Sequence, residues 1–151
     1  MQTDFELPST GAKTFRLSEF PGKYLVLYFY PKDSTPGCTT ESQQFRDLHR
    51  EFETLGCAIA GVSRDGIKSH ENFKAKLSLP FELLSDADEK VCSQFDVMRE
   101  KMMYGKKVRG IERSTFLIGR DGSLLHAWRG VKADGHAMAV LNHIQSLSEV
   151  I

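Results

Sequence analysis

The chain has 151 residues, of which 40% are hydrophobic and 26% are charged, values typical of a globular domain. We therefore expect residues 1–151 to form a single domain whose core is large enough to need neither a disulfide nor a structural metal. The 20 basic and 20 acidic side chains give a formal net charge of zero, which argues against nucleic acid as a partner.

The first half of the sequence predicts alternating strands and helices. Alternating apolar residues predict a short edge strand over 13–17, and the continuous apolar run 24–30 predicts a strand that is covered on both faces. Apolar residues at helical spacing predict one helix over 38–55. A second buried strand is expected over 57–63.

The second half is expected to contain further helices, a strand and a hairpin. In chain order the predicted elements are a surface helix over 67–77, a strand over 81–84, a helix over 87–95, a loop or irregular ribbon over 97–110, a hairpin of 114–119 and 123–129, and a closing helix over 134–148. This order predicts an α/β fold with a central mixed sheet flanked by helices. It is compatible with a thioredoxin-like fold.

The segment 31–41 joins the most apolar strand to the longest predicted helix and holds the strongest chemical signal. Cys38 falls in the first turn of that helix, where free backbone N–H groups and the helix dipole favour a thiolate. Because Phe45 and Phe52 follow at seven-residue intervals, all three side chains share one helix face, and the thiol is expected to point inward. This pattern is typical of a nucleophile shielded from water.

The loop before Cys38 allows two interpretations. Thr35 is placed to offer a hydroxyl donor, and Pro36 a rigid apolar cover, but the same residues also suit a plain turn followed by a buried cysteine. The full spacing of Pro31, Thr35 and Cys38, P-x₃-T-x₂-C, resembles the active-site signature of the peroxiredoxins. The signature favours the first interpretation.

The resemblance extends over most of the chain. The segments YFYPKDSTPGCTTE (28–41), GVSRD (61–65), LPFELLSD (79–86) and GIERSTFLI (110–118) resemble, in order and spacing, those of the bacterioferritin comigratory protein or Q-type peroxiredoxin subfamily. This resemblance implies a thioredoxin fold, no cofactor, and reduction of hydrogen peroxide and organic hydroperoxides by a cysteine thiolate.

The resemblance also implies roles for individual residues. Cys38 resembles the peroxidatic cysteine, Thr35 the residue that holds thiolate and peroxide through its hydroxyl, and Arg113 the cation that stabilises both. The residues expected at the substrate are Pro31, Pro36, Gly37 and Glu41, of which Glu41 is expected to orient the arginine. Considered without the resemblance, Arg113 is better explained by a solvated pair with Glu112 at the start of a strand. Glu41 is then also consistent with a carboxylate that is favoured only by the helix dipole.

The sequence departs from the subfamily where a resolving cysteine commonly lies. Those two positions are occupied here by Gln43 and Lys74, which cannot form a disulfide. Cys57 and Cys92 both lie in apolar surroundings that predict burial. We therefore expect a one-cysteine peroxidase, recycled by thioredoxin, glutaredoxin or a low-molecular-weight thiol. An atypical two-cysteine peroxidase using Cys92 or Cys57, and a redox sensor that passes oxidation to a partner protein, remain alternatives.

Several other classes of function have no support in the sequence. The apolar run 24–30 is much shorter than the roughly 20 residues that span a bilayer, and residues 1–10 show no secretory signal, so we expect a cytoplasmic protein without membrane contact. The five histidines have no metal-ligand spacing, which predicts surface positions and no metal. No glycine-rich phosphate loop is present. We expect the protein to be a monomer.

Overall fold

A mixed sheet of seven strands forms the centre of the molecule in a computed structural model that describes residues 4–19 and 23–150. The strands are β1 (Glu6–Ser9), β2 (Lys13–Arg16), β3 (Tyr24–Phe29), β4 (Cys57–Ser63), β5 (Glu82–Ser85), β6 (Met98–Met103), β7 (Lys106–Ile111), β8 (Ser114–Ile118) and β9 (Leu124–Trp128). The large sheet has the order β2-β1-β5-β4-β3-β8-β9, while β6 and β7 pair separately. Strand β3 runs parallel to β4 and antiparallel to β8, so the prediction of a mixed sheet is confirmed.

Helices cover both faces of this sheet. They are α1 (Pro36–Asp47), α2 (His49–Thr54), α3 (Ile67–Leu77), α4 (Lys90–Gln94) and α5 (His136–Val150), with a 3₁₀ turn at Leu17–Glu19. The predicted strand 57–63 and helix 67–77 match β4 and α3 residue for residue. Across the described ranges, every helix is too short or too polar to cross a bilayer.

Strand β3 divides the interior into two cores, because successive residues of a strand point to opposite faces. Val26 and Tyr28 enter one core, and Leu25 and Leu27 enter the other. We call the first core the α1 face and the second the α4 face. The α1 face includes Phe45, Phe52, Phe73 and Ile144, and the α4 face includes Leu7, Val91 and Phe95. The predicted burial of β3 on both sides is therefore confirmed.

The prediction of one helix over 38–55 is wrong in one respect. Helix α1 ends at Asp47 and α2 begins at His49, because the backbone of Leu48 departs from helical geometry. The break leaves both Phe45 and Phe52 fully buried in the α1 face. The apolar spacing therefore predicted the buried face correctly but not the interruption.

The segment predicted as a loop or irregular ribbon over 97–110 is instead a regular antiparallel pair, β6 with β7. Its turn is formed by Tyr104 and Gly105, which both have positive φ angles, the geometry that matches the twist of a tight hairpin. The described side chains of β7 from Lys106 to Arg109 are exposed, so no alternation of apolar and polar residues marks the strand in the sequence.

The prediction that the histidines lie on the surface is wrong for two of the five. His70 is completely buried and His136 is nearly so. Burial is possible because each ring finds hydrogen-bond partners inside the protein. His70 lies between Asp33 and the carbonyl of Leu84, and His136 lies against the hydroxyl of Thr115.

Candidate active site

The loop after β3 delivers Cys38 to the carboxyl end of the sheet. Helix α1 begins at Pro36, whose fixed φ suits a first helical position, and Thr35 precedes it in extended geometry as the N-cap. The backbone N–H of Thr39 donates to the Thr35 carbonyl at 2.9 Å, which closes the first turn. Cys38 is the third residue of the helix, and its side chain is buried in the α1 face.

Arg113 supplies the positive charge beside the thiol. Its Nη2 donates to the Cys38 Sγ at 3.4 Å, and its Nη1 donates to Glu41 Oε1 at 2.6 Å. Glu41 follows Cys38 by nearly one helical turn, so a single guanidinium spans both side chains. A cation in contact with a cysteine sulfur favours the thiolate, the form that acts as a nucleophile.

Glu41 has an unusual electrostatic environment for a carboxylate. Its side chain is completely buried, and its second oxygen, Oε2, has no hydrogen-bond partner among the described residues. Burial raises the pKa of Glu41 to about 7, although Arg113 opposes that shift. Burial lowers the pKa of Arg113, but the negative charges of Glu41 and Cys38 outweigh that effect, so the pKa is raised above its ordinary value. The guanidinium therefore stays charged.

Close approach of the backbone fixes where Arg113 lies. A Cβ atom placed on Gly37 would lie 3.1 Å from Arg113 Nη2, so a residue without a side chain gives the guanidinium room to pass. The carbonyl of Arg113 accepts a hydrogen bond from Val131 N–H at 3.0 Å. Arg113 directly precedes β8, whose Ser114 pairs with Phe29 at the end of β3. The arginine and Cys38 therefore meet at the same edge of the sheet.

The remaining predicted residues form the rim of the site. The Thr35 hydroxyl donates to the carbonyl of Lys32 at 2.8 Å rather than to the sulfur of Cys38. Pro31 and Pro36 are exposed on either side of it. The structure thus brings Cys38, Glu41, Arg113 and Gly37 together, whereas the Thr35 hydroxyl is hydrogen-bonded to the backbone of its own loop.

His136 belongs to the surroundings of the site, and sequence reasoning missed it. Its Nε2 lies 2.7 Å from Thr115 Oγ1, two residues beyond Arg113. Burial, with the nearby Arg113 charge, lowers the pKa of His136 to about 4, so the ring is neutral near pH 7. No local sequence pattern identifies His136 as part of the site, because only the packing of α5 on the sheet brings it near Arg113.

One group of side chains has the residue types of a metal site. Within the described ranges, ligand atoms of Asp33, Asp65 and His70 lie within 4.8 Å of one another. His70 Nδ1 lies only 2.7 Å from Asp33 Oδ2, whereas two ligands about 2.1 Å from one ion stand roughly 3 Å or more apart. The spacing fits a proton shared between the two groups better than a metal ion.

Cys57 lies at the opposite end of the sheet from Cys38. It opens β4 and pairs with Tyr24 at the start of β3, while Arg113 and Cys38 lie beyond the end of β3. The strand separates these ends by about 17 Å at roughly 3.3 Å per residue. Burial raises the pKa of Cys57 to about 11, against the effect of Arg120. The predicted burial of this cysteine is confirmed.

Cys92 lies on the other side of the sheet, in the α4 face. It is completely buried, as predicted, and its backbone N–H donates to Asp86 Oδ2 at 2.6 Å. Burial, together with the negative charge of Asp86, raises the pKa of the Cys92 thiol far above its usual range. The two positions at which relatives commonly carry a resolving cysteine hold residues without a thiol. Gln43 is half-buried in α1, and Lys74 forms an ion pair with Glu82.

Comparison with known proteins gives consistent matches over nearly the whole chain. A profile of the AhpC/TSA family matches residues 1–127. The Peroxiredoxin Bcp of Xanthomonas campestris pv. campestris is 55% identical over 138 residues, which cover 91% of this chain and 86% of the relative. The Peroxiredoxin Bcp of Bacillus subtilis is 49% identical over 146 residues, with 97% and 93% covered.

Solved structures show the same fold. The structure of the Xanthomonas campestris bacterioferritin comigratory protein, described in a study of its alkyl peroxide reduction activity, superposes with a TM-score of 0.90 at 52% identity, covering 96% of this chain and 92% of that one. A mutant of PrxQ from Xylella fastidiosa gives a TM-score of 0.92 at 46% identity, with 97% and 91% covered.

Proposed function

The chain belongs to the AhpC/TSA family, among the peroxiredoxins of the Bcp or Q type, and is a thiol-dependent peroxidase; we propose that Cys38 is its peroxidatic cysteine. The observation that carries this proposal is the contact of Arg113 Nη2 with the buried Cys38 sulfur at 3.4 Å. Among the described residues, no cation is in hydrogen-bond contact with the sulfur of Cys57 or of Cys92, and burial raises the pKa of both thiols.

The chemistry follows from that contact. The Cys38 thiolate attacks the terminal oxygen of a hydroperoxide, a sulfur–oxygen bond forms, and the oxygen–oxygen bond breaks. Cys38 becomes a sulfenic acid, and the departing alkoxide or hydroxide takes up a proton to leave as alcohol or water. Arg113 stabilises the negative charge that moves from sulfur to the leaving oxygen.

The residues around the sulfur hold the peroxide for this attack. The backbone N–H groups of Gly37 and Cys38 lie in the first turn of α1, where no helical carbonyl is available to them. Thr35 adds a hydroxyl donor once it turns from the Lys32 carbonyl, and the exposed prolines Pro31 and Pro36 form the rigid edge of the entrance. Hydrogen peroxide and organic hydroperoxides need no long-range steering field, since both are neutral.

Recycling uses a thiol from outside the chain. A disulfide requires Cα atoms within about 7 Å, and Cys57 lies at the far end of the sheet while Cys92 lies on its other face. One external thiol attacks the sulfenic sulfur and releases water, and a second thiol reduces the resulting mixed disulfide. We propose a monomer that works in the cytoplasm, where thioredoxin, glutaredoxin and small thiols are kept reduced.

A mass-spectrometric experiment tests the nucleophile and its recycling together. The chain is treated with one equivalent of peroxide, trapped with a sulfenic-acid reagent and digested, with and without a thiol reducing system. We expect the label on Cys38, repeated turnover when thiol is present, and no activity in Cys38→Ser. The control carries Cys57→Ala and Cys92→Ala and is expected to keep its activity.

Three outcomes would contradict the proposal in different ways. Full activity in Cys38→Ser would remove the assignment of the nucleophile. A quantitative Cys38–Cys92 or Cys38–Cys57 peptide would replace the one-cysteine cycle with an intramolecular one. A single stoichiometric oxidation without turnover, whatever the thiol supplied, would favour a redox sensor.

A further inference from the structure

Beneath the loop that precedes α1 lies a buried polar cluster that the peroxidase chemistry does not use. Its centre is Asp33, whose Oδ1 accepts a hydrogen bond from Tyr30 Oη at 2.6 Å. Its Oδ2 accepts one from Ser69 Oγ at 2.8 Å and lies 2.7 Å from His70 Nδ1. The backbone N–H of Asp33 donates to Asp65 Oδ2 at 2.9 Å. One loop residue is therefore held by four partners.

The partners of His70 determine where its protons lie. Its Nε2 is 2.9 Å from the carbonyl oxygen of Leu84, which can only accept, so Nε2 carries a hydrogen. Its Nδ1 faces a carboxylate. Burial would raise the pKa of Asp33, but hydrogen bonds from His70 and Tyr30 outweigh that effect and lower it. Tyr30 Oη also lies 3.4 Å from Nδ1, so the carboxylate, the imidazole and the phenol form one hydrogen-bonded group.

This pair is shielded from water, since the side chains of His70 and Asp33 are 0% and 2% exposed. A buried polar pair adds little net stability compared with apolar residues of the same size, because its groups lose their hydration. Removing one partner, however, leaves the other polar group buried without its hydrogen bond. The pair therefore holds Asp33 and His70 in one relative position.

The geometry that it fixes is that of the active-site loop. Asp33 lies two residues before Thr35 and five before Cys38. Between them, Ser34 adopts a left-handed backbone with φ 62°, which costs free energy for a residue other than glycine and persists only when its neighbours are held. Asp33 is anchored on one side of this bend, and α1 begins on the other.

We propose that Asp33 and His70 are positioning residues, which clamp the loop to α3 and β5 so that Cys38 meets Arg113 at the start of α1. This inference rests on the proposed role of Cys38. Neither residue contacts the sulfur; they act through the loop. Releasing the clamp relaxes the bend at Ser34 and moves the sulfur relative to the guanidinium, and a misplacement of about 1 Å can lower a rate about 100-fold.

The test compares Asp33→Asn and His70→Gln with a matched control, Asp86→Asn. Asp86 is also a completely buried carboxylate, but it accepts backbone N–H groups of α4 on the other face of the sheet. The readouts are the single-turnover rate constant of Cys38 oxidation by hydrogen peroxide, the pH profile of Cys38 alkylation by iodoacetamide, and the free energy of unfolding.

We expect the two cluster variants to lose about 10- to 100-fold in oxidation rate and to shift the alkylation profile to higher pH. Asp86→Asn is expected to lose stability but to keep the oxidation rate and the alkylation profile of the parent chain. The double variant Asp33→Asn/His70→Gln should be no slower than the slower single variant, since both changes release the same clamp. Rates and alkylation profiles that match those of the parent chain or of Asp86→Asn would overturn the proposal.

Two milder variants keep the test decisive should the first pair fail to fold. Tyr30→Phe and Ser69→Ala each remove one hydrogen bond to Asp33 and no charge. A several-fold loss of oxidation rate in both supports the clamp, and unchanged rates overturn it. Cys38→Ser is measured alongside: if it is inactive while the cluster variants react normally, only the clamp fails, and if it is active, the nucleophile is wrongly assigned.

Discussion

Cys38 and Cys92 occupy equivalent positions in two different helices. Each is the third residue of a helix, α1 or α4, and each is buried in an apolar core. Their neighbours differ in charge, because Cys38 lies against the Arg113 guanidinium and Cys92 against the Asp86 carboxylate. Both thiols therefore share a position near a helix N-terminus, and what distinguishes them is the sign of the nearest charged side chain.

Removing the cation from the Cys38 side should have the largest effect. In Arg113→Gln the sulfur and the leaving oxygen lose their only charged donor in the described structure, and we expect the single-turnover rate of Cys38 oxidation to fall about 100- to 1,000-fold. Arg113→Lys should recover only part of the rate, since an ammonium cannot span Cys38 and Glu41. Equal rates for Gln and Arg would show that the helix terminus alone suffices.

Glu41, which lies beside Cys38, is expected to make the free energy of unfolding depend on pH. Its pKa is raised from 4.5 to about 7 by burial, so the stability it contributes is fully present below pH 4.5 and is lost as the pH rises through 7. A shift of this size corresponds to roughly 3 kcal/mol. We expect the free energy of unfolding of the parent chain relative to that of Glu41→Gln, measured with denaturant between pH 4 and 8, to fall as the pH rises from 4.5 to 7.

The pH experiment has an internal comparison. His136 lies in the same region, and its pKa is lowered to about 4, so its contribution to stability is lost as the pH falls from 6.5 to 4. The two residues therefore titrate over nearly the same pH range with opposite signs and partly cancel in the parent chain, so the contribution of Glu41 is obtained from the difference in stability between the two proteins at each pH. A difference that stays constant between pH 4.5 and 7 would contradict the assignment to Glu41.

The last prediction concerns thiol labelling and needs no substitution in the chain. Because the thiols of Cys57 and Cys92 are buried with raised pKa values, a thiol reagent near pH 7 should modify one cysteine per native chain, Cys38, and all three after denaturation. Peptide mapping identifies the site. Rapid native labelling of Cys92 would mean that Asp86 does not protect it, and the contrast between the two helices would fail.

The parts of the site that are contiguous in sequence could be predicted, and the parts that meet only by folding could not. Residues 31–41 carry the nucleophile, its cap and Glu41 within one strand–loop–helix unit, so spacing alone placed them together. Arg113 was reached only through a family resemblance, because nothing local distinguishes it from a surface arginine. His70 and His136 were missed because their partners come from distant elements.

The fold shows the same division. Apolar periodicity predicted β3, β4 and α3 well, since burial on two faces or on one stripe leaves a clear pattern. It could not predict the break at Leu48, where the same apolar stripe continues across two helices. It also missed the β6–β7 pair, which is held by backbone hydrogen bonds with mostly exposed side chains.

The separation of Cys38 and Cys92 on opposite faces of the sheet also affects how long the oxidised form of Cys38 persists. In the one-cysteine cycle proposed above, the sulfenic acid of Cys38 waits for a thiol from solution, and its lifetime is inversely proportional to the concentration of that reductant. During that wait a second peroxide competes to convert it to sulfinic acid, which ordinary thiols cannot reduce. The ratio of thiol to peroxide around the protein therefore decides how many turnovers one chain completes before it is lost.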